Sequence, residues 1–256
     1  MEVFVDGSAG VACTWEYTSG VEVGFVDADG VERSGPLASW WAEPFALASP
    51  VRPFASFKGQ ENFTGEYWAS TSRTHVGYES WVERDAAMAL DFDPAVVALA
   101  SQPFRLAWMD GKRERGHTPD YFARLLDGTG VIVDVRPENL VDKATAEVFA
   151  FTSRICEVAG WQFRYVGDLH QPYRANLRWL ARYRHGRCHR APVADRLREF
   201  FADPLPLLAG AERVGDRLAV LPVLYHLLWR HELTADLMTA PLGTGTLVHL
   251  TSGGRP

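Results

Sequence analysis

Two aspartates and an arginine near the middle of the chain have the types and spacing to bind a divalent cation. Asp120 follows His117-Thr-Pro at the start of one apolar stretch, and Asp134 and Arg136 stand at the end of the next. We expect both stretches to be β-strands joined by a turn at 127–128. Side chains alternate along a strand, so Asp134 and Arg136 should point to one face. Such a group suits Mg²⁺ or Mn²⁺ and the hydrolysis of a phosphodiester.

Each carboxylate also has a purely structural explanation. Aspartate is common in turns, where its side chain caps the backbone, and Asp120 stands where a strand begins. Asp134 lies inside the apolar run 131–135, which is typical of a buried strand. An isolated buried carboxylate is costly unless it is paired or binds a metal. The alternative to a metal is therefore a salt bridge between Asp134 and an arginine.

Helices and further strands must position these acids. The apolar pattern predicts a helix at 78–91, strands at 96–100 and 104–108, a charged loop at 110–116, the two central strands, a helix at 142–159 and a strand at 161–166. The first helix carries Glu79 and Glu83 on one face, and the pattern does not separate their roles. Helix, strands, helix and strand in this order predict an α/β core with a mixed central sheet.

The regions around this core differ in composition. A hairpin is expected at 11–35 and an irregular segment at 36–77. Two helices, at 193–202 and 216–230, precede a hairpin of 233–238 with 246–251, which suggests a winged-helix fold. We therefore divide the chain into a β-rich N-terminal segment (1–56), the core (57–170), a basic helix and linker (171–191) and a small α+β C-terminal domain (192–256).

Positive charge is concentrated in the second half of an acidic protein. The net charge is −6, yet residues 103–256 contain 21 Lys and Arg against 17 Asp and Glu. No acid lies between Tyr173 and Arg190, and a helix at 171–185 would align arginines four residues apart. The residues expected to contact DNA phosphates are Arg174, Arg178, Arg182, Arg184, Lys112 and Arg113. The alternative for the helix is an ordinary solvated face.

Five sequence blocks carry a resemblance to a known family. They are Ser80-Trp-Val-Glu83, Leu90-Asp-Phe-Asp-Pro94, Ser101-Gln-Pro-Phe104, Thr118-Pro-Asp-Tyr-Phe122 and Val133-Asp-Val-Arg136. In order and spacing they resemble the TnsA-like endonuclease subunits of heteromeric transposases. That family belongs to the restriction-endonuclease-like superfamily with the PD-(D/E)xK motif. The resemblance covers about residues 57–170.

The resemblance implies a role for each of four side chains. Glu83 takes the place of the first-helix glutamate, Asp120 that of the metal-binding aspartate, Asp134 the (D/E) position and Arg136 the lysine position. The metal would be bound by Asp120, Asp134 and the carbonyl of Val135, with Glu83 directly or through water. Arg136 is a departure from the family pattern, because a guanidinium stays charged and cannot accept a proton.

The resemblance implies a Mg²⁺- or Mn²⁺-dependent DNA endonuclease that cuts one strand at the end of a mobile element. Its partners would be double-stranded DNA, a transposase subunit and an AAA+ regulator. Two alternatives stay open, a stand-alone restriction- or repair-type nuclease and a non-catalytic DNA-binding assembly subunit. The sequence shows no signal peptide or membrane span, and its three cysteines (13, 156 and 188) fit a reducing compartment. We therefore expect a cytoplasmic, nucleoid-associated protein.

Overall fold

The structure, a computed structural model, describes residues 20–54 and 63–251. It has a mixed α/β architecture with several sheets, so the predicted class is confirmed. Two compact units divide the chain, the first of residues 1–91 and 95–168 and the second of 92–94 and 169–256. In the described ranges, every helix is too short or too polar to cross a membrane. Cys13 and the first part of the predicted hairpin at 11–35 lie outside the described residues.

The first unit contains ten of the strands in the described ranges. In chain order its elements are β1 (Glu22–Val26), β2 (Glu32–Pro36), the short helix α1 (Leu37–Trp40), β3 (Gly65–Ala69), β4 (Thr74–Tyr78), α2 (Trp81–Phe92), β5 (Val96–Ser101), β6 (Phe104–Asp110), β7 (Arg113–His117), β8 (Tyr121–Leu125), β9 (Gly130–Val135), α3 (Lys143–Ala159) and β10 (Gln162–Val166). The last residue of α2 belongs to the second unit.

These strands form three sheets. One is antiparallel with the order β2-β1-β6-β7, and one is mixed with the order β10-β9-β8-β5, in which only β9 and β10 run parallel. The third is the hairpin of β3 and β4. The chain passes directly from one of the two larger sheets to the other after β5 and after β7. The sequence indicated one mixed sheet, and it did not show that β5 and β6 lie in different sheets.

Several predicted elements are present with their expected signals. The helix at 142–159 begins at Asp142, whose side chain accepts a hydrogen bond from Thr145 N, and ends at Gly160 with a φ of 69°. Glycine adopts this left-handed conformation without steric cost, so the helix stops there. The turn at 127–128 joins β8 to β9 as predicted. The hairpin of β1 and β2 closes at 27–30, where Asp27 accepts hydrogen bonds from two backbone N–H groups.

Two local predictions are wrong. The segment 110–116 is not a loop, because β6 pairs with β7 across a turn in which Gly111 has a φ of 61°. Its charged side chains point to solvent from an exposed strand, where charge and β-structure are compatible. The segment 36–77, predicted to be irregular, contains β3 and the first part of β4. Gly and Ser within this hairpin obscured the alternation of apolar residues.

An aromatic cluster forms the core of the first unit. Phe45 is fully buried, and the centroid of its ring lies 4.6 Å from the ring centroid of Phe104 and 5.8 Å from that of Trp161. Phe122 packs on the same group at 5.9 Å from Phe104. Phe104 belongs to one large sheet and Phe122 to the other, so these rings join the sheets. Each buried aromatic side chain contributes about 1.5–3 kcal/mol.

The second unit combines helices with a small sheet. Its elements are α4 (Gln171–Leu180), α5 (Ala191–Phe200), β11 (Leu205–Pro206), α6 (Leu207–Val214), α7 (Arg217–Trp229), β12 (Leu233–Ala235) and β13 (Leu247–Leu250), with the sheet order β11-β13-β12. The two predicted helices and the C-terminal hairpin are present, whereas α6 and β11 were not predicted. The helix predicted at 171–185 is shorter, since α4 ends at Leu180 and a 3₁₀ turn follows at Ala181–Tyr183.

Candidate metal-dependent active site

Asp120 and Asp134 face each other across two antiparallel strands. The β8/β9 ladder pairs Tyr121 with Val133, so one residue further along this register Asp120 stands opposite Asp134. Asp120 Oδ2 accepts a hydrogen bond of 2.7 Å from the backbone N–H of Val135. This bond ties the start of β8 to the end of β9. The two carboxylates therefore lie together at one end of the mixed sheet.

The side chain of His117 lies next to that of Asp134. His117 Nε2 lies 2.9 Å from Asp134 Oδ2, and the two side chains are 12% and 4% exposed. The two atoms are close enough for an ion pair when the imidazole is protonated, yet neither has a hydrogen-bond partner in the part of the chain that the structure describes. A buried polar atom without a partner costs about 1–3 kcal/mol. The predicted alternative of a salt bridge from Asp134 to an arginine is absent from the same described residues.

The electrostatics of Asp120 reflect crowding of negative charge. Burial raises the pKa of Asp120 well above its usual range, and the charges of Asp134 and Glu83 raise it further. The hydrogen bond from Val135 opposes this shift only in part. Like charges held close together are typical of sites that bind a cation, because the cation removes the repulsion.

Glu83 caps the helix on which it lies. Its Oε2 accepts a hydrogen bond from Glu79 N at 2.6 Å and its Oε1 one from Ser80 Oγ at 2.9 Å. Ser80 Oγ in turn accepts from Glu83 N at 3.2 Å, which completes a capping box. Burial raises the pKa of Glu83, and these hydrogen bonds oppose the rise. The serine three residues earlier was the sequence signal for this role.

Arg52, which is distant from these acids in the sequence, places its guanidinium beside Glu79. Its Nη2 lies 2.8 Å from Glu79 Oε2, and its Nε donates to Gln102 Oε1 at 3.1 Å. Gln102 is 1% exposed and has a φ of 45°, and its backbone N–H donates to the carbonyl of Asp120 at 2.9 Å. A non-glycine residue in this conformation costs about 1–3 kcal/mol. Sequence reasoning missed Arg52, because nothing local linked residue 52 to residue 120.

Arg136 lies just beyond β9 and turns toward α3. Its Nη1 donates a 2.9 Å hydrogen bond to Thr145 Oγ1, and its backbone carbonyl accepts from the hydroxyl of Tyr165 at 2.7 Å. The side chain is exposed, whereas that of Asp134 is buried. The expectation that both point to one face of a strand assumed a strand through residue 136, but β9 ends at Val135.

The six residues predicted to contact DNA lie in two places. Lys112 and Arg113 are exposed in the first unit, at the turn between β6 and β7 and at the start of β7. The four arginines are in the second unit, where Arg182 is exposed with its guanidinium carbon 5.2 Å from the ring centroid of Trp179. Arg174 and Arg178 lie on α4, and Arg184 donates to the carbonyl of Ala181 at 2.5 Å.

The end of the mixed sheet at which Asp120 lies carries oxygen and nitrogen donors of the types that bind divalent cations. Asp120 and Asp134 supply carboxylate oxygens and His117 supplies an imidazole nitrogen, and among the described residues Asp134 Oδ2 and His117 Nε2 are buried without a hydrogen bond. In residues 20–54 and 63–251 no three His, Cys, Asp or Glu side chains are gathered closely enough to enclose an ion. The carboxylates and the imidazole would therefore have to close on it.

Comparison with protein-family models and with curated proteins finds no match to this chain.

Proposed function

We propose that this protein is a metal-dependent DNA endonuclease, the TnsA-like subunit of a transposition system. The observation that carries the proposal is the buried Oδ2 of Asp134, which makes no hydrogen bond within the described residues and stands opposite Asp120 on the adjacent strand. An ionised pair in this setting is costly without a cation. The resemblance in five sequence blocks, four of them contributing residues to this end of the sheet, supports the same function.

The first unit would be a restriction-endonuclease-like core. This assignment is supported by the order α2, β5, β8, β9, α3 and β10 and by the sheet order β10-β9-β8-β5. The hairpin of β6 and β7 would be an insertion between β5 and β8. It carries Lys112 and Arg113, whose charges suit contacts with phosphates.

In the proposed reaction the side chains bind, orient and compensate charge. Asp120, Asp134 and the carbonyl of Val135 would hold Mg²⁺ or Mn²⁺. When bound, the cation supplies Lewis-acid stabilisation of charge at the phosphate and lowers the pKa of water. Val135 N–H keeps Asp120 oriented through its 2.7 Å hydrogen bond. Arg136 would contact the scissile phosphate after releasing Thr145, and it would act by charge, because a guanidinium does not accept a proton.

The second unit would be winged-helix-like and would hold a protein partner. The order α5, β11, α6, α7, β12 and β13 with a three-stranded sheet supports that fold. Between Arg217 and Arg230, however, α7 carries no lysine, arginine or acid, and most of its side chains are buried. A helix that reads DNA needs polar side chains for base edges and phosphates. DNA contacts in this unit would instead come from Arg174, Arg178, Arg182 and Arg184, and the partner would be the transposase or an AAA+ regulator.

A second candidate is a non-catalytic DNA-binding subunit of the same assembly. Two observations favour it. Arg136 replaces the lysine implied by the resemblance and is already hydrogen-bonded to Thr145, and Glu83 uses both carboxylate oxygens to cap α2. A subunit that had lost its catalytic activity would keep the fold and the basic residues that contact DNA. Its Arg136 and Glu83 would remain hydrogen-bonded within the protein and would not serve the cation or the phosphate.

Nicking of supercoiled DNA with Mn²⁺ or Mg²⁺ tests these candidates. We expect the parent to nick weakly alone and more strongly with its transposase, and Asp134→Ala to abolish nicking. Asp127→Ala is the matched control, since Asp127 is an exposed acid in the β8–β9 turn. Arg136→Lys should increase the rate if lysine chemistry is the missing part. Full activity alone would indicate a stand-alone nuclease, and DNA binding with no nicking under any condition would indicate the non-catalytic subunit.

A further inference from the structure

The proposed function gives no role to His117, which touches the acidic pair. We propose that His117 Nε2 is a direct ligand of the bound cation, and that the site therefore prefers Mn²⁺, a transition-metal ion, to Mg²⁺. This inference rests on the metal site of the proposed function and deepens it, because it names a further ligand and the class of metal.

The distance between His117 and Asp134 is that of two ligands of one ion. In octahedral coordination with bonds of about 2.1 Å, neighbouring donor atoms lie about 3.0 Å apart, whereas in tetrahedral coordination they lie about 3.4 Å apart. Nε2 and Oδ2 are separated by 2.9 Å. The spacing thus matches one edge of an octahedron better than one edge of a tetrahedral zinc site.

The directions of the two groups also favour a shared ion over a direct bond. At 2.9 Å an imidazole N–H would ordinarily point at the carboxylate, yet the pair does not meet the geometry of a hydrogen bond. Both atoms are buried, so bulk water does not supply the missing hydrogen bonds. A cation placed between the lone pairs of Nε2 and Oδ2 would satisfy both atoms at once. This requires the imidazole proton to be on Nδ1, the tautomer in which Nε2 accepts.

A short stretch of backbone links His117 to Asp120, the nearest proposed ligand in the sequence. His117 is the last residue of β7 and Asp120 immediately precedes β8, with the buried Pro119 between them. Proline fixes its own φ and restricts the residue before it. Asp120 is held at the other side by Val135 N–H and by Gln102 N–H. The short connection between the two large sheets therefore presents both a nitrogen and an oxygen donor.

A nitrogen ligand changes which metal is bound best. Mg²⁺ selects oxygen ligands and keeps several waters, whereas imidazole is a good ligand for transition-metal ions. Octahedral geometry with mixed oxygen and nitrogen donors accommodates Mn²⁺, and imidazole binds the later divalent ions of the first transition row more strongly still. We expect Mn²⁺ to bind at least tenfold more tightly than Mg²⁺, with replacement of His117 lowering Mn²⁺ affinity by about 10–100-fold.

The test is electron spin-echo spectroscopy of Mn²⁺ bound to the full chain, with calorimetric titrations of Mn²⁺ and of Mg²⁺. The parent should show the ¹⁴N modulation of a directly bound imidazole. His117→Gln, which offers oxygen in place of nitrogen, should lose that modulation and most of the preference for Mn²⁺. His75→Gln is the matched control, since His75 is exposed on β4 of the same unit. His75→Gln should leave both the ¹⁴N modulation and the preference for Mn²⁺ unchanged.

The outcomes separate this inference from the proposed endonuclease. Mn²⁺ binding without ¹⁴N modulation, or equal affinity for Mn²⁺ and Mg²⁺ in the parent, overturns the role of His117 even if the protein nicks DNA. Modulation that His117→Gln removes supports the role even if nicking is absent, in which case the catalytic proposal alone fails. Failure of the parent to bind Mn²⁺ at millimolar concentration also overturns the inference. The parent's spectrum decides the question if His117→Gln does not fold.

Discussion

Replacing Asp120 with Asn should stabilise the fold while it weakens metal binding. Burial and the charges of Asp134 and Glu83 raise the pKa of Asp120 well above its usual range. A carboxyl with a raised folded-state pKa contributes stability that is fully present below its unfolded pKa. That stability is lost as the pH rises through the folded pKa. The ionised form of Asp120 therefore opposes folding when no cation is bound.

The size of the effect follows from the strand geometry. Cross-strand neighbours lie about 5 Å apart, and two like charges at that distance repel by roughly 3 kcal/mol at an effective dielectric constant of about 20. Asn is neutral and of similar size, and its carbonyl oxygen can still accept the hydrogen bond from Val135 N. We expect a net gain of about 1–2 kcal/mol at pH 7.5, or an increase of about 2–8 °C in Tm.

Scanning calorimetry with a chelator present measures this gain. The advantage of Asp120→Asn over the parent should be largest at pH 7.5 and should shrink at pH 5, where more of Asp120 is protonated. Mn²⁺ at about 100 times its Kd should stabilise the parent by about 2.7 kcal/mol and the variant much less. Asp127→Asn is the control with the opposite sign, because hydrogen bonds from Thr129 lower the pKa of that exposed carboxyl. Its substitution should not stabilise the protein.

Two results would refute the reasoning about Asp120. One is a variant that unfolds at a lower temperature than the parent at pH 7.5 without metal, since that would mean that the carboxylate stabilises the fold. The other is an equal increase in Tm with Mn²⁺ in both proteins, since that would place the cation elsewhere.

Substitutions at three further residues test the cap of α2, the hydrogen bond to Gln102 and the proposed DNA contact. Glu83→Gln keeps one oxygen that can accept from Glu79 N, and its amide N–H₂ can donate to Ser80 Oγ in place of the bond that Oε1 accepts. Stability measured by urea denaturation should therefore change by less than about 0.5 kcal/mol, whereas Glu83→Ala should cost about 1 kcal/mol; equal losses in both would contradict the capping role. Arg52→Ala leaves Gln102 Oε1 without its donor and should cost about 1–2 kcal/mol in the same assay, and an unchanged midpoint would show that this bond is not formed. Arg182→Ala should weaken binding to double-stranded DNA and reduce the slope of log K against log salt concentration by about 1. Arg73→Ala is the control, since Arg73 is exposed, and it should leave the slope unchanged. Identical slopes for the two variants would exclude Arg182 from the DNA contact.

Local patterns in the sequence were sufficient to predict most individual elements. Alternation and turn residues located β8 and β9 with the turn between them, and the cap at Asp142 and the glycine at 160 delimited α3. Period and capping are properties of neighbouring residues, so they can be recognised without knowledge of the fold. The placement of Asp120 and Asp134 at the ends of paired strands followed for the same reason, and the structure added that they stand opposite each other.

Contacts between distant residues were decided only by the tertiary structure. The pairing of β1 with β6 separates β6 from β5, although only Gln102 and Pro103 lie between the two strands. The same arrangement brings Arg52 to Glu79 and His117 to Asp134. These contacts depend on which sheet each strand joins, and that choice is made by the packing of Phe45, Phe104 and Phe122 in a shared core rather than by any local pattern. The sequence alone therefore determined which acids lie at the end of the hairpin, and the fold determined that His117 and Arg52 accompany the acidic side chains there.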